Sequence, residues 1–321
     1  RKNDYVVYNS VMELANLWAR ERGNSDGIRV ATKSDAGAIL RLLNTAVYSH
    51  IHVDWHLPGD WIGAPGFVVL PKAEKPAGKN SLTAKLFPDH TDLAGCLAAT
   101  ADPLPVAWVR VAAIRDKNAA EQALTGMLAH VVSALRHQGA TRLAWLTVEE
   151  WPQPLLPQFG FFQGSHIETY VKEDRHLPEV TAVPGLIIRQ VYSTDFGALA
   201  ELEEASFAPL WRQSAQALAV ARPQSLSFDV ALLDDELVGY QLSARADAGA
   251  HLVRLTVHPE KHGLGIGSAL LKHAFAYYYR QGLYTVSLNT QVENSASQKL
   301  YLKFGFRPSQ QRMPIRVCEL V

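Results

Sequence analysis

The chain has 321 residues, 48% of them apolar and 19% charged, with 31 basic side chains balancing 31 acidic ones. That length exceeds one ordinary compact core and predicts two domains, while the apolar content argues against disorder over the bulk of the chain. Zero net charge argues against a dedicated binder of nucleic acid or anionic membrane, and no apolar run approaches the roughly 20 residues of a membrane span. Cys96 and Cys318 stand in different halves and form no C-x-x-C pair. They predict neither a disulfide framework nor a zinc site, and a reducing, cytoplasmic setting is the expectation.

In chain order, residues 1–27 predict a helical extension without a signal-peptide profile. Ile28-Arg29-Val30 then reads as a strand, followed by a Thr32/Ser34/Asp35 cap and an amphipathic helix through Leu43. His50, His52 and Asp54 fall in alternation, a pattern open to metal ligation. The neighbouring Trp55, Pro58 and Trp61 favour a packed polar loop, so no metal is expected. Pro71 to Lys79 reads as an exposed loop. A long helix over Glu121–Gln138 and a strand over Leu143–Val148 precede Gln158-Phe159-Gly160-Phe161.

The same order then recurs. Ile187-Ile188-Arg189, a Ser193/Thr194/Asp195 cap and Leu199–Leu202 repeat the opening. A helix over Gly265–Gln281, a strand over Thr285–Asn289 and Lys303-Phe304-Gly305-Phe306 repeat the close. A period of about 145 residues is domain-sized, so the chain is expected to be two copies of one α/β fold. The expected division is 28–175 and 186–321, joined by a linker over 176–185 that holds Pro178, Pro184 and Gly185.

The chemistry concentrates in the second copy. Leu252–Val257 reads as a buried strand, followed by His262-Gly263-Leu264-Gly265-Ile266-Gly267-Ser268 and a helix. Glycines let the backbone adopt positive φ and approach an anion, and a helix N-terminus offers unpaired N–H groups to phosphate oxygens. No Lys-Ser/Thr follows the last glycine, as a Walker loop requires, and no acidic residue stands where a dinucleotide fold places one. After the next strand comes Asn294, a good N-cap, with Ser297, Leu300 and Tyr301 on one helical face and Gly305 at the helix end.

The pair V-x-P-x-x-x-G-x-G-I-G and N-x-x-S-x-x-L-Y-x-x-x-G-F resembles the two motifs of GNAT acetyltransferases, over about Leu186 to Val321. His262 stands where the family usually has Arg or Gln. The resemblance implies an α/β (α+β) architecture of two tandem GNAT-fold domains, each a mixed, mostly antiparallel sheet flanked by helices. It implies acetyl-CoA as cosubstrate, with the pyrophosphate on the backbone of His262–Ser268. It implies pantetheine along Leu255, Thr256 and Val257, contact from Asn294 and Ser297, and Tyr301 as the acid for the departing thiolate. A backbone N–H near Val257 would meet the oxyanion. The strand lacks the Glu that family members often use as base; His251 or a chain of waters would serve. The implied reaction is direct acetyl transfer to a primary amine of a small molecule or peptide, without a metal. A non-catalytic acyl-CoA sensor is the competing function. Neither nucleic acid nor membrane is an expected partner, and the chain is expected as a monomer or homodimer.

The first copy lacks this chemistry. Its counterpart of the glycine turn is Arg115–Gly126, where Asp116 and Glu121 would repel phosphates. Pro152, Pro154 and Pro157 preclude an ordinary helix where the second copy has Asn294 to Tyr301. Tandem GNAT proteins show such an arrangement, one copy degenerate and one active.

Overall fold

The computed structural model describes residues 27–72, 92–247 and 249–320. The expected N-terminal helix lies outside them, as does most of the Pro71–Lys79 loop. The described chain divides into two compact units. The first is Arg1–Gly164 with Ile315–Val321, and the second is Ser165–Pro314.

In the first unit the elements are β1 (Arg29–Val30), α1 (Ala36–Thr45), β2 (Tyr48–Ile51), β3 (Phe67–Pro71), β4 (Leu93–Ala101), β5 (Val106–Ile114), α2 (Ala120–His137) and β6 (Arg142–Leu146). Strands β1, β3, β4 and β5 pair antiparallel, and β5 pairs parallel with β6. Apolar residues of α2, at the 3.6-residue spacing of a buried helical stripe, cover one face of this sheet; Leu124, Met127, Leu128, Val131 and Leu135 are all buried there. Ile39, Leu42 and Leu43 of α1 cover the other. The prolines after β6 leave only a 3-10 turn at Leu156–Phe159, as their missing N–H groups require.

After β7 (Phe162–Lys172), the second unit repeats this order. It contains β8 (Leu186–Gln190), α3 (Phe196–Ser206), α4 (Ala215–Ala221), β9 (Ser227–Leu233), β10 (Glu236–Ala246), β11 (Gly249–Val257), α5 (Ile266–Arg280), β12 (Val286–Gln291) and α6 (Ser295–Lys303). Strands β8 to β11 pair antiparallel, and β11 pairs parallel with β12. The opening repeat is the same structure twice. Arg29 grips Asp35 at 2.7 Å through two nitrogens, and the carboxylate also accepts the Thr32 N–H at 2.8 Å. Arg189 grips Asp195 at 2.8 and 3.0 Å, and that carboxylate accepts the Tyr192 N–H at 2.7 Å.

The Arg29 guanidinium holds the Asp35 carboxyl down at about 2. A depressed carboxylate stabilises the fold above its unfolded value and loses that contribution as pH falls through the folded one. Asp35→Asn is therefore expected to lower the Tm at neutral pH. The deficit should shrink as pH drops from about 4 toward 2; a deficit constant across that window, by calorimetry, would contradict the assignment.

The units do not follow the expected division at 176–185. Strand β7 crosses their boundary, and its residues Ile167–Lys172 pair with β12 in the second unit. Strand β13 (Arg307–Glu319) likewise ends in the first unit, where Ile315–Glu319 pair with β6. Each unit thus takes one strand from beyond the sequence boundary. The reason is apolar fit: Cys318 and Leu320 sit in the core under α2, and Tyr170 sits in the core under α5.

Candidate active site

The site begins with a divergence of two parallel strands. β11 and β12 are in register at Ala250–Leu252 against Val286–Leu288 and part beyond that point. β11 also carries one extra residue, Val253, between the pairs Leu242↔Arg254 and Ser243↔Leu252. Past the bulge, Leu255 and Val257 face α5, packed with Ile266 and Leu270. Arg254 and Thr256 face α3. The His258 N–H donates to Val238 on β10 at 2.8 Å. By strand alternation the N–H groups of Leu255 and Val257 point to the opposite edge, into the gap left by β12.

The glycine turn closes one end of that gap. Gly263 and Gly265 have φ of +82° and +90°, a region that side chains with a Cβ resist. The first N–H to close a helical bond in α5 is that of Ala269, to Gly265 O at 3.0 Å. Those of Ile266, Gly267 and Ser268 therefore stay directed outward from the positive end of the helix dipole. His262 folds back, its Nε2 bonding the Val257 carbonyl at 2.9 Å. The unusual residue thus braces the turn against the end of β11.

A cleft of about 500 Å³ runs from this turn. Leu255, Thr256, Val257, His262, Gly263, Gly265, Ile266, Gly267, Ser268, Asn294 and Ser297, all singled out from the sequence, line it. Leu264 is not among the lining residues; its side chain is half exposed, because the turn presents its backbone to the cleft. Thr256 lines it too, but its hydroxyl is turned to Glu203 at 3.3 Å. Asn294 Oδ1 is spent capping α6 on the Ser297 N–H at 3.1 Å, and its Nδ2 reaches Gln291 at 3.4 Å. Lys261 and Lys303 add two cations that the sequence reading had not marked.

Tyr301 lies beneath the wall rather than on it. It is buried against Tyr170 and Phe306, one turn below Ser297. Burial pushes its phenol up to about 12, with a Ser297 hydrogen bond and the Arg254 charge pulling partly back. His251 faces the α3 side of β11, its Nδ1 2.8 Å from Ser287 Oγ. Burial lowers its pKa, so it stays neutral more readily than a free imidazole.

The sequence reading missed a buried ion pair behind this wall. Glu203, fully buried in α3, bonds Arg254 through both carboxylate oxygens, one at 3.0 Å. It also accepts Tyr240 OH at 2.6 Å and the Gln213 N–H at 2.9 Å. With Thr256, five hydrogen bonds fill the carboxylate, which leaves it no capacity to act as a base. Burial works against the Arg254 charge, but Glu203 beside it holds the Arg254 pKa above its ordinary value. Burial, and then Glu203, push the Tyr240 phenol well up. The signal was present in the sequence: Glu203 follows Leu199 and Leu202 on the apolar face of a helix, and Arg254 interrupts an apolar strand.

The first unit builds the same frame and closes it. β5 and β6 are in register only at Val106–Trp108 against Arg142–Ala144, and β5 bulges at Arg110. Here β2 pairs with the freed edge of β5, from Tyr48↔Ile114 to Ile51↔Val111. At the start of α2, Asp116 accepts the Asn118 N–H at 2.9 Å. The alternating histidines do not share a strand face, because β2 ends at Ile51 and Asp54 has φ of +48°. His50 bonds Glu149 at 2.7 Å, and Arg110 holds Asp54 at 2.6 Å. Burial would raise the Asp54 pKa, but His52 and Arg110 hold it far below the usual carboxylate range.

Comparison with known proteins agrees with this geometry. The Acetyltransferase (GNAT) family model matches residues 188–306. An uncharacterized N-acetyltransferase of Methanocaldococcus jannaschii is 32% identical over 123 residues, 38% of this chain and 78% of that protein. A putative [ribosomal protein bS18]-alanine N-acetyltransferase of Bacillus subtilis is 25% identical over 121 residues, 38% of this chain and 80% of that one. Two solved structures share the fold over nearly the whole chain. A GCN5-related N-acetyltransferase from Sphaerobacter thermophilus has a TM-score of 0.56 at 18% identity, covering 91% of this chain and 95% of its own. A tandem GNAT protein from the clavulanic acid biosynthesis pathway has 0.55 at 15%, covering 92% and 99%. The fold is thus that of tandem GNAT domains, and the chain belongs to the GNAT acetyltransferase family.

Proposed function

We propose that the chain is an acetyl-CoA-dependent N-acetyltransferase that acts on a primary amine of a small molecule or peptide. One observation carries this reading: the outward N–H groups of β11 and of the α5 N-terminus line one continuous cleft in the second unit. The residues fit the cosubstrate. Gly263 to Ser268 would hold its pyrophosphate, with Lys261 and Lys303 beside it, and Leu255 and Val257 would pair with its pantetheine arm. Bound there, acetyl-CoA supplies an electrophilic thioester and a thiolate leaving group.

The rest is the work of the chain. A backbone N–H of β11 near Val257 donates to the carbonyl oxygen as charge gathers on it. Neutral His251, which stands outside the cleft lining, takes the proton from the attacking nitrogen through a chain of waters. Tyr301, protonated throughout the neutral range, gives its proton to sulfur as the C–S bond breaks and the N–C bond forms. The first unit serves as a degenerate copy, since β2 occupies the strand edge that pantetheine would need. The cytoplasm is the proposed setting, in keeping with two buried free thiols, each pushed up to about 12 by burial.

The test is Tyr301→Phe. Turnover is expected to fall on the order of 10²-fold or more, with acetyl-CoA affinity nearly intact. Unchanged turnover, with chemistry shown to be rate-limiting, would remove Tyr301 from the mechanism. Acetyl-CoA binding without release of free CoA, across a broad amine panel, would favour the competing function of an acyl-CoA sensor.

A further inference from the structure

We infer that Ser206 binds the acceptor, its Oγ accepting an N–H of the attacking amine. The inference rests on the acetyltransferase reading above. Ser206 is the last residue of α3. A helical serine ordinarily settles its hydroxyl on the carbonyl one turn back. Ser206 Oγ does not; it is buried and has no hydrogen-bond partner. A buried hydroxyl left unpaired is costly, and such groups in a cleft wall mark places where a ligand completes the bonding.

Its position selects the ligand. Most of the cleft wall comes from β11, the glycine turn, α5 and α6; Ser206 and Phe207 contribute from the α3 side. A thioester laid from the glycine turn along Leu255 and Val257 would reach that side through the divergence of β11 and β12. The acceptor must then approach from the region of Ser206.

The chemistry narrows it further. Lys261 and Lys303 are donors only. Asn294 Oδ1 and the Glu203 carboxylate already accept hydrogen bonds, and the Thr256 hydroxyl is turned away to donate to Glu203. An amine directs its lone pair at the carbonyl and still carries N–H groups that need an acceptor. Ser206 Oγ has that capacity to spare.

The segment that carries it is held firmly. The Arg254 guanidinium stacks 3.7 Å from the Phe207 ring centre and bonds Trp211 O at 2.6 Å. Arg212 Nε donates to Phe207 O at 2.9 Å. Glu203 takes the Gln213 N–H and fixes Arg254 in turn. The hydroxyl is therefore presented from a braced wall.

The experiment uses the full chain with acetyl-CoA and a panel of spermidine, amino sugars and dipeptides with free N-termini. Ser206→Ala is expected to raise the KM of the best amine about tenfold, with kcat changed less than about threefold. Its Tm without ligand should match or exceed wild type, because an unpaired buried hydroxyl has been removed. Ser206→Thr, which keeps an oxygen at this position, should recover part of the lost affinity. An unchanged amine KM in Ser206→Ala would overturn the assignment, and so would a fall in Tm, which would show the hydroxyl bonded within the fold. Wild-type chain that turns over none of the panel would instead overturn the acetyltransferase reading beneath it.

Discussion

Replacing Gly265 with glutamate is expected to abolish acetyl-CoA binding, weakening it by at least roughly 10³-fold, or about 4 kcal/mol. Gly265 starts α5 at φ +90°, where a side chain with a Cβ costs about 1–2 kcal/mol. A Cβ there would meet only Val183 Cγ2, at 3.4 Å. The variant should therefore fold, at a modest cost in Tm. Its carboxylate would lie among the N–H groups of Ile266, Gly267 and Ser268 and satisfy them itself. A helix N-terminus favours that anion for the same reason it favours phosphate, so the variant would be occupied by its own side chain. Calorimetric titration should give one site per wild-type chain and none in the variant. Gly265→Glu binding within a few-fold of wild type would refute the assignment of the turn. Two equivalent wild-type sites would show that the first unit also binds the cosubstrate, against the closed edge of β5.

The second large effect concerns where the chain can be cut. A fragment spanning residues 165–314 is expected to fold cooperatively and bind acetyl-CoA. A fragment spanning 184–321, the obvious choice from the two motifs, should aggregate or lose its cooperative transition. The longer-reaching cut removes Ile167–Lys172, which pair with β12 along six positions from Gln291 to Val286. An unpaired β12 edge invites association with other chains. The same cut retains Ile315–Glu319 without the β6 strand they pair with. Cys318 and Leu320 would then lose the core they are buried in. Circular dichroism melts and gel filtration of both fragments distinguish the cases. Equal stability of the two would mean that the strand pairing across the sequence boundary contributes little to either unit.

Much of this architecture was legible in the sequence because it is local. The repeated Arg–Asp caps at Arg29/Asp35 and Arg189/Asp195 span seven residues each. The glycine turn is legible because only glycine readily holds φ near +90° at Gly263 and Gly265, and because it stands directly before an apolar-periodic helix. Asn294, Leu300, Tyr301 and Gly305 announce a short capped helix by spacing alone. The prolines at 152, 154 and 157 likewise precluded its counterpart in the first half.

What the sequence could not decide is what joins distant segments. Nothing in Phe162–Lys172 or Arg307–Glu319 states which sheet each strand completes, because strands of similar alternation compete for an edge and only the assembled cores choose. The ion pair of Glu203 with Arg254 joins a helix and a strand 51 residues apart. Each charge taken singly looks misplaced on an apolar face, and the pair makes sense only once both are buried together. The bulges at Arg110 and Val253 are set by register with a neighbouring strand, and they turn the next residues toward one face or the other. The free hydroxyl of Ser206 is visible only in the folded chain, where it is buried at the end of α3 without a hydrogen-bond partner. The sequence by itself determined the family, the glycine turn and the two-copy plan, through short-range backbone constraints. The tertiary structure decided the strand exchange, the closed edge in the first unit and the contribution of Ser206 and Phe207 to the cleft wall, because each depends on which surfaces bury one another.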